Sequence, residues 1–257
     1  MTNTTQDTFG KVPEVTLGFW IIKILATTLG ETGGDALSMS MDLGYLVSTA
    51  VFAVLFAVAV SVQLVMTRLN PVVYWVTIIA TTTVGTTLAD FADRSLGIGY
   101  AGGSAILLAA LIGALFVWHR SLGSIAVDSV HSRKSEIFYW VTIMFSQTLG
   151  TALGDWTADS AGMGYTRAAL LFGALLATVA VLYYTTKVSR TLLFWAAFIL
   201  TRPLGAVVGD FLDKPLADGG MNLSRYAASA TLLVLIALCI AIFSQRPAQR
   251  APVERPR

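Results

Sequence analysis

The 257-residue sequence predicts an all-α, polytopic membrane protein: eight transmembrane helices from four parallel two-helix repeats, with the odd-numbered helices forming an inner bundle. Three observations predict it. Hydrophobic residues make up 55% of the chain and charged residues 12%, far more apolar than a soluble domain requires. Runs such as Tyr45 to Met66 and Ala101 to Trp118 approach or exceed the ~20 apolar residues that cross a bilayer as helix, and the short alternating strands of a membrane barrel are absent. Finally, a unit [FY]-W-x9-G-x3-[GA]-D occurs four times in register, which marks an internal repeat. Its markers are Trp20, Trp75, Trp140 and Trp195, and its aspartates are Asp35, Asp90, Asp155 and Asp210.

Each repeat is long enough for two helices, predicted over 14–36, 44–66, 72–92, 98–118, 136–158, 165–186, 191–212 and 224–244. Lys11 followed by an apolar run imitates a signal peptide, but that run continues into the first motif and is read as the first membrane helix. Pro71 suits the first turn of the third helix, where a missing N–H costs least. Tyr45, Tyr100 and Tyr165 each follow their motif aspartate by ten residues, whereas Tyr226 follows Asp210 by sixteen, so the last repeat has a longer hairpin. The aspartates are 55, 65 and 55 residues apart, and the extra ten belong to a central loop that divides the chain into two four-helix halves. The expected organisation is a cytoplasmic segment 1–13, repeats 14–68, 69–119, 136–189 and 190–245, a cytoplasmic loop 120–135, and a cytoplasmic tail 246–257 that is basic, Pro-rich and expected to be disordered beside anionic lipid.

An even number of helices per repeat makes all copies cross in the same sense, about an axis along the membrane normal. Eleven Lys and Arg lie on the side of the termini and four on the other, counting Arg250, Arg255 and Arg257 in the tail, which places both termini in the cytoplasm. The motif aspartates are then expected toward the outer face.

Tandem tryptophan-marked repeats with a downstream Gly and Asp resemble a family of bacterial membrane proteins made of four two-helix repeats, known as a repeat domain of unknown function. The resemblance spans nearly the whole chain and implies the architecture, in a bacterial inner membrane, without implying an activity. The fourth repeat departs furthest, with Arg202 and Pro203 ahead of Gly205.

The pairs Gly30 and Gly34, Gly85 and Ala89, Gly150 and Gly154, Gly205 and Gly209 are small-xxx-small spacings, which let helix backbones approach where lipid supplies no hydrophobic drive. The tryptophans read either as an interfacial aromatic belt or as a cage facing a substrate. The aspartates face the negative end of a helix dipole, so a cation, a basic side chain or a cap on the next turn is expected to compensate them, and they read either as solvated outer-loop or capping residues or as the lining of an external cavity. Hydroxyls surround them, at Thr27, Thr32, Thr82, Thr86, Thr151 and Thr201 among others. Oxygen-only surroundings suit hard cations such as Mg²⁺ or Mn²⁺, with Asp35, Asp90, Asp155 and Asp210 as the metal candidates, unless the hydroxyls simply bond back to their own helices.

Three charges break the symmetry. Glu31 stands where the partners have Thr86, Thr151 and Ala206; Lys23 where they have Ile78, Ile143 and Phe198; Arg202 where they have Thr27, Thr82 and Gln147. Arg202 is expected to pair with Glu31 across the seam between last and first repeats, with a gating role, while Lys23 either joins them or snorkels to the cytoplasmic surface.

Cys239 is alone, His119 and His131 lack metal-ligand spacing, and no nucleophile elbow, phosphate loop or HExxH is present, so neither an enzyme nor a cofactor is expected. A net charge of +2 with no dense basic surface argues against nucleic acid. The partners expected are the lipid bilayer and a small inorganic cation, and a homo-oligomer stays open. The leading functional expectation is a cation transporter, including proton-coupled export; the alternative is a non-transporting structural or regulatory membrane scaffold.

Overall fold

The computed structural model describes residues 10–248. The expectations for the first nine residues and for the tail beyond Ala248 lie outside the described residues. Eight long helices carry the fold: α1 (Leu17–Asp35), α2 (Gly44–Val65), α3 (Pro71–Asp90), α4 (Tyr100–Leu122), α5 (Arg133–Asp155), α6 (Gly164–Thr185), α7 (Arg190–Asp213) and α8 (Arg225–Ile242). The inner helices start on side-chain caps. Thr16 accepts from the Phe19 N–H, Asn70 from Val73 with Pro71 in the first turn, and Ser189 from Leu192, while Ser132 and Ser135 form a capping box. That box lets α5 begin at Arg133, and α4 runs through His119 and Arg120 to end on Gly123 at φ +75°, so the central connection is shorter than the sequence predicts.

Helix α1 packs on α3, α3 on α5, α5 on α7, and α7 back on α1, closing a four-helix ring. The even helices lie outside it, each against the inner helix of the following repeat: α2 on α3, α4 on α5, α6 on α7, and α8 on α1. No repeat is therefore a self-contained hairpin, and the last helix completes the first. Six helices, or in the case of α3 the helix with its following turn, are long and apolar enough to cross a membrane: α2, α3, α4, α6, α7 and α8. Helices α1 and α5 carry more polar residues, nearly all turned inward. The outer helices expose large apolar side chains such as Val54, Val58, Ile106, Ile112, Leu170 and Val234.

The repeated motif is explained by two circular sets of contacts. At the seams, a Cβ placed on each first glycine would strike the next helix around the ring: Gly30 meets Thr82, Gly85 meets Gln147, Gly150 meets Arg202, and Gly205 meets Thr27. One turn on, Gly34 meets Thr86, Gly154 meets Ala206 and Gly209 meets Glu31. Close backbone approach without a side chain in the way is the use of small residues here.

The aromatic pairs do the same at the N-terminal end of the inner helices. Phe19 packs on Trp75 (5.3 Å between ring centroids), Tyr74 on Trp140 (5.8 Å), Tyr139 on Trp195 (6.2 Å) and Phe194 on Trp20 (5.7 Å). The Tyr74 and Tyr139 hydroxyls meet at 2.6 Å. Trp75, Trp140 and Trp195 are buried and Trp20 half-buried, so the tryptophans are not an interfacial belt. They face their neighbours, because a ring between two close helices loses more apolar surface to water than one pointing outward.

Below this clasp, short segments cross the end of the bundle. The Ala248 N–H donates to Val12 O (2.9 Å), Glu14 N–H to Arg246 O (2.8 Å), and Lys11 pairs with Glu136 at 2.7 Å.

Gly85→Val should destabilise the fold by about 1–3 kcal/mol, since its Cβ would stand 2.9 Å from the Gln147 carbonyl carbon, which cannot rotate away. Gly113→Ala on α4 meets nothing within 4 Å and should be neutral or stabilising. Thermal unfolding of the two variants beside the parent checks both outcomes; equal loss would show that seam packing is not what the glycines supply.

Candidate functional site

Because the four inner helices stand in the same register, residues at intervals of four along each of them form successive levels whose members come together, as Tyr74 does with Tyr139, Lys23 with Phe198, and Asp35 with Asp210 through Lys214. The levels read Phe19, Tyr74, Tyr139, Phe194; then Lys23, Ile78, Ile143, Phe198; then Thr27, Thr82, Gln147, Arg202; then Glu31, Thr86, Thr151, Ala206; then Asp35, Asp90, Asp155, Asp210. Every one of these side chains is buried.

Convergence is plainest at Arg202. Its Nη2 donates to Glu31 Oε2 on α1 (3.0 Å), to Thr86 Oγ1 on α3 (2.5 Å) and to Thr151 Oγ1 on α5. One guanidinium from α7 thus touches the other three inner helices, in the room that Ala206 leaves by having almost no side chain. Thr86 also donates to Glu31 Oε2 (3.3 Å) and to Gly30 O (3.1 Å). Glu31 and Arg202 form a salt bridge away from water, where a charge-assisted contact is strong and a lone charge is expensive.

Lys23 does not join that pair, and it does not snorkel. It is fully buried, with Nζ 4.2 Å from the centroid of the Phe198 ring and no hydrogen-bond partner among the described residues. The aromatic clasp closes the level beneath it, and a four-carbon stem cannot pass that plug to reach solvent.

The motif aspartates do not cap. Asp35, Asp90 and Asp155 keep right-handed helical φ/ψ, make no capping hydrogen bond, and lead straight into π-helical turns, Ala36–Ser40, Phe91–Ser95 and Trp156–Ser160. Asp210 lies inside α7. Two cations clamp them in pairs. Arg94 holds Asp90 (2.8 Å) and Asp155 (3.6 Å), and Lys214 holds Asp35 (2.5 Å) and Asp210 (3.0 Å). Arg225 adds a contact to Asp213 at 3.1 Å and reaches Asp35 at 3.9 Å. Lys214 lies just past α7; burial alone pulls its ammonium down, but the carboxylates of Asp210, Asp35 and Asp213 outweigh that and hold it well above the ordinary lysine value. It stays protonated.

Arg94 and Lys214, two of the four basic residues counted on the side away from the termini and given no site role from the sequence, are therefore part of the site. Their signal was a second register: four residues after the motif aspartates come Met39, Arg94, Asp159 and Lys214, basic in alternate repeats. These four, with Tyr165 and Asp218, line a cavity of about 500 Å³ at the acidic end of the axis. Carboxylate oxygens of Glu31, Asp35 and Asp210 lie within 4.8 Å of one another, close enough to share one small cation. Asp90 and Asp155 stand apart from that trio on the other clamp, so the four aspartates do not form a single metal-ligand set.

The family model described as Repeat of Unknown Function (DUF347) matches residues 18–68, 73–124, 138–189 and 193–246. The chain belongs to that family. No curated protein and no solved structure matches it. The four DUF347 matches each hold one glycine seam, one aromatic pair and one axial aspartate, so the unit that recurs in sequence is the unit that recurs around the ring.

Glu31→Gln should destabilise by roughly 3–5 kcal/mol by leaving the Arg202 charge buried without its counter-ion. Thr86→Val, which removes one hydroxyl from the same guanidinium, should cost about 1 kcal/mol. Adding Arg202→Met to Glu31→Gln should recover most of the loss. Equilibrium unfolding of the four proteins checks this, and a double variant no better than Glu31→Gln would mean that the pair is not the cause.

Proposed function

We propose that this chain is a multi-pass membrane transporter for small inorganic cations, taken up at the acidic end of the ring axis, with hard divalent ions such as Mn²⁺ and Mg²⁺ as the first class to test. The observation that supports it most is the axial column itself. A path of buried polar groups leads inward from the 500 Å³ cavity through the aspartates to Glu31, along the line where the four inner helices meet. Ionisable groups on close-packed membrane helices are costly, and they are kept mainly where ions or protons pass.

The membrane reading rests on six sufficiently apolar helices and on the exposed Val, Leu and Ile faces of α2, α4, α6 and α8, which lipid would cover. With basic residues concentrated at the aromatic end, both termini face the cytoplasm and the acidic cavity faces outward, in a bacterial inner membrane.

In this reading Lys214 acts as a tethered competitor. It occupies the charge that Asp35 and Asp210 require, and an incoming cation takes its place while the lysine swings toward the cavity. Proton coupling follows when the cation leaves, since carboxylates that hold neither the cation nor Lys214 can then take up a proton. The runner-up is a non-transporting scaffold, favoured by the fact that all four motif aspartates already have a basic partner.

Metal flux into proteoliposomes containing a pH indicator separates the two. The transporter should move at least one divalent ion with a matching internal pH change, and Asp35→Asn with Asp210→Asn should lower the flux at least tenfold. Lys214→Met should tighten binding of that ion about tenfold or more, the effect of about 1.4 kcal/mol of lost competition. No flux for any ion, with Lys214→Met leaving metal affinity unchanged, would favour the scaffold.

A further inference from the structure

One level inward from the Glu31–Arg202 pair, the chemistry of the axis reverses. Arg202 spends Nη2 on three partners, but its Nε and Nη1 have none among the described residues. Lys23 Nζ has no hydrogen-bond partner, nor have both ends of the Gln147 amide or the Thr82 hydroxyl. All four residues are 0% exposed. Three of them, Thr82, Gln147 and Arg202, share one level of the ring, and Lys23 stands on the level beneath, against Phe198, which is one turn before Arg202 on the same helix.

Buried polar atoms are almost always satisfied, and a set of orphans at one place signals something that satisfies them. Its nature follows from the donor inventory. Lysine and arginine nitrogens only donate, the Gln147 amide nitrogen donates, and the acceptors left over are a single amide oxygen and a hydroxyl. Glu31 already directs its salt bridge at Arg202 Nη2, so Lys23 Nζ, Arg202 Nε and Arg202 Nη1 still lack an acceptor. Water both accepts and donates and so matches a donor-rich set less well. A small anion supplies acceptance and charge together.

We propose that Lys23, Arg202, Gln147 and Thr82 form a buried site for a small inorganic anion of halide size, on the ring axis between the aromatic clasp and the Glu31–Arg202 pair. The Phe198 ring lies against Lys23 and the aromatic clasp closes the level beneath it. The site stands whether or not the cation reading holds, because it rests on a different set of residues. Occupied, it neutralises the inner level and lets Arg202 remain charged beside Lys23.

The test is thermal unfolding of the purified full-length chain in chloride or bromide against gluconate at constant ionic strength. The expected result is a saturable rise in the unfolding midpoint of roughly 3–6 °C in the halides alone, the shift that a tenfold excess over the dissociation constant gives a chain of this size. Lys23→Met removes an unpaired charge, so it should fold, and it should abolish the halide response. Gln147→Leu should weaken the response and serves as the second variant if Lys23→Met is poorly produced. Lys11→Met, on the other side of the aromatic clasp and paired with Glu136, should leave it intact. Equal midpoints in chloride and gluconate would overturn the site, as would a full halide response in Lys23→Met. A halide response in a protein that moves no metal would defeat the transport reading and leave this one standing.

Discussion

Ring closure through the glycine seams is the constraint on which the rest depends. Four helices can meet on a common axis only if their backbones approach closely, and each seam achieves this by setting a glycine of one helix against a side chain of the next. The same cyclic step recurs one end lower, where each Phe or Tyr packs on the following repeat's tryptophan. Two interlocked rings hold the register, and register is what brings a single residue from every inner helix to each level of the axis. Placing each outer helix on the next repeat's inner helix ties the units together, so the fold closes only when α8 reaches α1.

Once that axis exists, its electrostatics follow from which repeat departs from the consensus at each level. The aromatic level is followed by an apolar level that carries the single charge of Lys23, then by a donor-rich level with Arg202, and the outer two carry the acids. Opposite charges stacked along a dry column neutralise one another over short distances, and this is how such a core escapes the full penalty of burying ions. The clamps at the outer level do not follow the halves of the sequence: Lys214 joins repeat four to repeat one, and Arg94 joins repeat two to repeat three. The seams between α1 and α3 and between α5 and α7 have no such clamp among the described residues, so any opening of the acidic end has its least resisted path there.

The ionic assignments divide by reach. Glu31 and Arg202 come within 3.0 Å of one another, and the sequence anticipates that contact because both break the consensus at neighbouring levels of adjacent repeats in a closed ring. Lys23 differs because its surroundings decide its direction. A free lysine stem can reach a surface, but here the aromatic clasp stands in the way. Arg94 and Lys214 look like ordinary loop charges in sequence, and only the π-helical turn after Asp90 and the C-terminus of α7 turn them back onto the aspartates.

Composition, the four-times-repeated motif and its internal spacing were enough to establish an all-α chain of eight helices in the DUF347 family, because apolar content and helical period are properties of residues near one another along the chain. They also singled out residues that the fold uses for its inner contacts: the aspartates, Glu31, Arg202, and the glycine and tryptophan of every unit. Which neighbour each of these would meet was decided in three dimensions. The tryptophans turned inward to clasp the next repeat, the aspartates took cationic partners in place of caps, and each outer helix crossed to the following unit. The tryptophan clasp and the links from Arg94 to Asp155 and from Lys214 to Asp35 join residues more than 50 positions apart, and a ring of repeats that share one motif offers several such partners with the same local pattern; only closure of the whole circle selects among them.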